Sequence, residues 1–125
     1  FAQSAASGVN TDLEIALFLA DHDMELEKAL SLAKKAYKAR PSIYGADTLA
    51  WALYKNKKYR EAQEYSKEAL RLGEYDPLIL FHAGMIAKTN KNKEEAKRFL
   101  KKSLKLYPHF SLQYEDVAIE TLKGL

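Results

Sequence analysis

The chain has 125 residues, 47% of them hydrophobic and 30% charged, with a formal net charge of +3. That length supports one domain with a real core, and its interspersed Lys and Glu form no long single-sign tail. The absence of cysteine excludes a disulfide framework, a zinc ribbon and a thiol nucleophile. No apolar run approaches the ~20 residues that cross a bilayer, so no membrane insertion is expected.

Phe1 to Asn10 is small and polar, with Gly8. It reads as a flexible linker or an expression remnant of a processed or excised piece. It lacks the charged end and apolar centre of a signal peptide. Thr11-Asp12-Leu13-Glu14 has the form of a capping box and predicts the first helix start, with Leu13, Ala16, Leu17 and Ala20 as its apolar stripe. Asp21-His22-Asp23 reads as a turn, and Asp23 as the cap of a second helix from about Met24 to Ala39, which Pro41 stops. A third helix is expected from about Ser42 to Lys55, and a fourth from Tyr59 to Leu72 with Gly73 ending it in a left-handed conformation. Asp76-Pro77 starts a fifth, reaching about Lys88. The sixth covers about Lys93 to Leu106 and is stopped by Pro108, and Ser111 caps a last one through about Lys123. No segment alternates with period two, so no sheet is expected.

The helices repeat. Ala29, Ala62 and Ala96 are 33 and 34 positions apart, and Ala36, Ala69 and Ser103 keep the same intervals. Pro41 and Pro108 close the first and third units, 67 apart, and Glu74 stands at that place in the middle one. A helix-turn-helix period of about 34 residues is that of the tetratricopeptide repeat. The chain resembles that family through Leu49-Ala50, Lys58-Tyr59-Arg60-Glu61-Ala62, Ala69-Leu70, Gly84, Glu95-Ala96 and Leu106-Tyr107-Pro108. The resemblance covers three units, about residues 10–42, 43–76 and 77–110, within a domain of residues 11–125. It departs in the first inter-helix turn, read as one residue short.

The resemblance implies an all-α fold, a right-handed superhelical array of antiparallel helix pairs. A capping helix at about 111–123 would cover the third pair with Leu112, Val117, Ala118, Ile119 and Leu122, leaving Glu115, Asp116, Glu120 and Lys123 in water. It also implies a concave groove lined by the first helix of each unit. Projected here, the groove holds Thr11, Glu14, Phe18 and Asp21, then Tyr44, Asp47, Trp51 and Tyr54, then Leu78, Phe81, His82 and Met85. Exposed aromatics in a concavity point to a bound partner, because they bury much area with few rotors. The alternative is that Trp51 and Phe18 simply pack between helices. Some co-chaperone members clamp a peptide carboxylate with Lys, Asn and Arg. The corresponding Glu14, Phe18, Thr48, Leu78 and His82 do not match, and Glu14 with Asp47 favours a neutral or basic ligand.

The other constellations are weaker. His22, His82 and His109 lack metal-ligand spacing, and the Asp21-His22-Asp23 turn is as readily a capped loop as a cation site. No glycine-rich phosphate loop and no nucleophile–base set is recognisable, so neither catalysis nor a cofactor is expected. The many lysines fall on second helices and turns, interleaved with Glu and Ala, and read as a solvated face rather than a nucleic-acid surface. The expected function is a non-catalytic interaction module or scaffold. Its partner would be a protein or peptide whose apolar or basic segment lies in the groove. Two alternatives are self-association through Leu13, Ala16 and Leu17 of an exposed N-terminal repeat, and weak binding of RNA. Arrays of this kind occur in cytoplasmic and exported bacterial proteins alike, so the resemblance sets no compartment.

Overall fold

A computed structural model describes residues 4–125, with side chains from Gly8 onward; residues 1–3 of the expected linker lie outside the described residues. Seven helices follow one another: α1 Ser4–Asp21, α2 Leu26–Ala39, α3 Ile43–Lys55, α4 Tyr59–Ala69, α5 Pro77–Thr89, α6 Lys93–Leu106 and α7 Glu115–Gly124. There is no strand among the described residues. Helices α1, α3 and α5 neighbour one another in one layer, and α2, α4 and α6 pair with them in turn. The array is therefore an all-α helical-repeat solenoid.

Two helix starts follow directly from side-chain chemistry. The Asp76 carboxylate accepts the backbone N–H groups of Leu78 at 2.8 Å and Ile79 at 3.2 Å, and Pro77 occupies the first turn, where its missing donor costs nothing. The Ser42 hydroxyl accepts from the Gly45 N–H at 2.9 Å. Two expected starts are corrected. Helix α1 already runs from Ser4 through the Thr11 box, because nothing in Ala5 to Asn10 stops a helix. Thr11 is thus internal and finds no free helix end to cap. Asp23 does not cap α2, since it sits in the left-handed region at φ 52° and takes a bond from Lys55 instead.

The first inter-helix turn is one residue longer than the others, not shorter. Residues 22–25 join α1 to α2, whereas 56–58 and 90–92 make the later turns. The extra residue is absorbed by Glu25, left-handed at φ 42° beside the equally left-handed Asp23. Elsewhere the ends move for local reasons. Helix α4 stops at Ala69, and the chain turns on to Gly73, whose φ of 127° admits no side chain without strain. A Cβ there would lie 2.1 Å from the Tyr75 ring. Helix α7 begins at Glu115 rather than Ser111, because the Ser111 hydroxyl caps a preceding turn by accepting from the Tyr114 N–H at 3.1 Å.

The packing repeats as regularly as the sequence. Ala16, Ala50 and Gly84 are 34 positions apart, and Ala16 and Ala50 are fully buried. Gly84 is needed because a Cβ there would meet Leu100 Cγ at 2.7 Å. Ala29, Ala62 and Ala96 are also fully buried, which lets the helix pairs approach closely. Asn56 and Asn90 fasten one unit to the one before. Each amide donates to its own helix, at Ala52 (2.8 Å) and Ile86 (3.0 Å), and to the start of the preceding second helix, at Leu26 and Tyr59 (both 2.9 Å). The following Lys57 and Lys91 share φ 63°, turning the chain into the next helix.

Candidate protein-binding groove

The face formed by α1, α3 and α5, expected to be concave, divides into an open half and a filled half. In the open half, Leu13, Glu14 and Leu17 of α1 face Tyr44, Asp47 and Thr48 of α3, with Asp76, Leu78 and Ile79 beyond. They enclose a cleft of about 240 Å³. Tyr44 is 64% exposed and also borders two neighbouring hollows, one of them lined by Ile43, Leu70, Leu72 and Tyr75. Leu72 and Tyr75 are themselves exposed, so the apolar surface continues around the edge of the cleft. The rim is acidic, carrying the carboxylates of Glu14 and Asp76, with the buried Asp47 beneath them.

In the filled half the groove is occupied by the chain itself. Trp51 is only 2% exposed, and Phe81 is fully buried. The cover is Tyr114, whose ring stacks on Phe81 at 4.7 Å between centroids and meets Trp51 edge-on at 5.8 Å. Its hydroxyl donates to Asp21 Oδ1 at 2.8 Å, and the Trp51 indole N–H donates to the same oxygen at 2.9 Å. Gln113 adds a bond from Nε2 to the Asp21 carbonyl at 2.6 Å. Phe110 packs on Phe81 at 5.5 Å. Burial, reinforced by the hydrogen bond to Asp21 and its charge, pushes the Tyr114 hydroxyl well above the ordinary tyrosine pKa.

Four expected groove residues are therefore not on the surface. Trp51 and Phe81 lie beneath Tyr114. Asp47 and His82 are paired with each other between α3 and α5: His82 Nδ1–H donates to Asp47 at 2.9 Å, and both are buried. His82 also stacks on the Trp51 ring at 4.2 Å, and its Nε2 is buried with no partner among the described residues. Tyr54 and Met85 are half-buried in the same cluster; Tyr54 lies flat on Trp51 at 4.6 Å, and burial, then Tyr59 and Asp23, raises its hydroxyl pKa. Phe18 is 56% exposed but rests against His22 at 4.3 Å, outside the cleft lining. Of the expected set, only Glu14, Tyr44 and Leu78 line the open cleft from its surface, with the buried Asp47 at its base.

The last helix departs from its expected role in the same way. Leu112 is 99% exposed, and Val117 and Ile119 also face solvent, so none of the three covers the third pair. Ala118 is buried and Leu122 packs inward as expected, and Tyr114 and Leu125 join them in place of the other three. The spacing 114, 118, 122 is a helical stripe, and it was the available signal. Leu112 precedes the helix, and Val117 and Ile119 fall to either side of that stripe. Glu115 is half-buried, pairing with His109 at 2.8 Å, while Asp116, Glu120 and Lys123 are exposed as expected.

The Asp21-His22-Asp23 turn has both its carboxylates engaged, Asp21 by Trp51 and Tyr114 and Asp23 by Lys55. No group of three or more His, Asp or Glu among the described residues is arranged to hold a metal ion. Glu74, standing where the other units place proline, accepts from Arg98 at 2.8 Å and Lys102 at 3.2 Å. Its burial acts to raise its carboxyl pKa, but these two cations outweigh it and hold it below the usual value. No described helix is long and apolar enough to cross a membrane.

Comparison with known families places these units. Residues 43–74 and residues 78–110 each match a family model described as tetratricopeptide repeat, together more than half of the chain. No curated protein matches it. The first unit repeats the same buried small residues and helix pairing. With two units matched and three stacked in register, the chain belongs to the tetratricopeptide repeat family.

Proposed function

We propose that this domain is a non-catalytic module that holds an apolar segment with basic flanks, from a partner protein, in the open cleft between α1, α3 and α5. Repeats of this family mediate protein–protein interaction or scaffolding. The observation that carries the reading is the composition of that cleft: an apolar floor of Leu13, Leu17, Leu78 and Ile79, an exposed Tyr44, and an acidic rim. Apolar side chains lining a concavity beside an exposed aromatic suit a bound segment, and Tyr is among the residue types that anchor interfaces. The rim repels a peptide carboxylate and attracts lysine or arginine, and so sets orientation more than affinity.

The test compares capture from lysate by wild type, Tyr44→Ala and Glu14→Lys, each with its helicity checked by circular dichroism. A protein held by wild type and lost in both variants supports the reading. Equal retention by all three overturns it.

Self-association is a second reading favoured by a separate observation. Ile15 is 40%, Phe18 56% and Met24 48% exposed on the first unit. The residues involved are not those expected, because Ala16 is fully buried and Leu13 and Leu17 turn toward the cleft. Light scattering that reports a dimer, abolished by Phe18→Glu, would support this reading; a monomer at high concentration would remove it.

A further inference from the structure

We infer that Asp21, Trp51 and Phe81 form a tyrosine-binding subsite, which in trans takes a partner segment carrying an aromatic residue four positions before an unphosphorylated tyrosine. The chain's own Phe110 and Tyr114 hold it in cis. This extends the interaction reading of the concave face to its filled half, but it stands on different residues.

The occupant defines the ligand chemistry. The Tyr114 ring is recognised by stacking on Phe81, and its hydroxyl by a carboxylate oxygen. That oxygen is fixed independently, because Trp51 already donates to it. The acceptor is thus oriented before a phenol arrives, which lowers the entropy lost on binding. Phe110, one helical turn earlier in sequence, supplies the second ring on Phe81. A tyrosyl ligand therefore matches the pocket in ring and hydroxyl, whereas phenylalanine would leave the Asp21 oxygen short of a donor. A phosphotyrosine would bring its dianion against Asp21 and be rejected.

The occupant belongs to the segment after the third unit rather than to a repeat, and it is held by the Tyr114, Gln113 and Phe110 contacts. Helix α7 packs broadly on α6 alone. Between them Tyr107, Pro108, His109, Leu112 and Gln113 are exposed, so the segment carrying Tyr114 crosses the groove with little covering it. A competing segment must displace the Tyr114, Gln113 and Phe110 contacts, so the wild-type chain holds the subsite closed more firmly than a chain lacking Tyr114. The open cleft lies along the same three helices, so a ligand seated there continues into this subsite.

The experiment uses the full chain as wild type, Tyr114→Phe and Tyr114→Ala, titrated with a synthetic peptide of residues 109–119. Trp51 is the single tryptophan, so its emission reads the pocket directly. The expected result is binding by Tyr114→Ala at least about tenfold tighter than by wild type, with Tyr114→Phe between them. Peptides with phosphotyrosine or alanine in place of the tyrosine should not bind. Absence of any Trp51 response in folded Tyr114→Ala and Tyr114→Phe up to about 1 mM peptide overturns the proposal. Should Tyr114→Ala lose its helicity, the Tyr114→Phe comparison decides alone. Equal binding of the alanine peptide overturns it as well. A wild-type dimer that Tyr114→Ala abolishes overturns it in favour of tail exchange between copies.

Discussion

Tyr114 and Asp21 are 93 positions apart, and a hydrogen bond of 2.8 Å joins them. It ties the segment after the third unit to the end of the first helix, across the middle unit whose Trp51 shares the same acceptor. A solenoid whose units touch only their neighbours has no such closure. The bond makes the two ends of this array thermodynamically dependent on each other.

Tyr114→Phe should keep the ring packing and lose the bond to a charged acceptor, costing about 1.5–3 kcal/mol. Tyr114→Ala also removes a buried ring and should cost about 3–5 kcal/mol, less if α7 can detach and relax. Urea unfolding followed by circular dichroism measures both. Equal stability of Tyr114→Phe and wild type would show that the bond contributes nothing net.

The same residue sets a pH dependence. Its folded-state pKa lies above the ordinary value of 10.0, so the folded state keeps a proton that the unfolded chain releases. The stability it contributes is fully present below pH 10 and is lost as pH rises beyond it. Tyr54, raised in the same direction, adds to the slope. Unfolding midpoints between neutral and strongly alkaline pH should fall, and fall less steeply in Tyr114→Phe.

Gly84→Ala tests the close approach of α5 and α6. The added methyl meets Leu100 Cγ at 2.7 Å in a buried site, and the neighbouring Ala96 carbonyl limits how far it can shift. The expected loss is about 1–3 kcal/mol from overpacking, although alanine is the better helix former. Thermal unfolding with an unchanged or raised midpoint would contradict this contact.

Asn90→Ala removes the side-chain link from the third unit to the second. Two hydrogen bonds go, one to Tyr59 and one to Ile86, for about 1–3 kcal/mol. The loss should fall on the junction between units. Hydrogen exchange should therefore rise at the start of α4 more than within α2, and a uniform rise would refute the role assigned to Asn90.

Much of this protein is local, and the sequence carried that part openly. Small residues at 29, 62 and 96, the Asp76-Pro77 start and the polar turns each act within one helix pair, so their spacing alone determined a three-unit helical solenoid. The extra residue before α2 escaped because the count between second helices mixes turn length with unit length; only the left-handed Glu25 shows where it was absorbed. The groove was half legible. Glu14, Tyr44, Asp47 and Leu78 meet as the repeat phase requires. Trp51, Phe81 and His82 have the same phase but are buried, since Tyr114 lands on two of them and Asp47 pairs with the third. Periodicity assigns a residue to a face of its helix. Whether that face meets water depends on chain arriving from 93 positions away, and only the tertiary structure decides that.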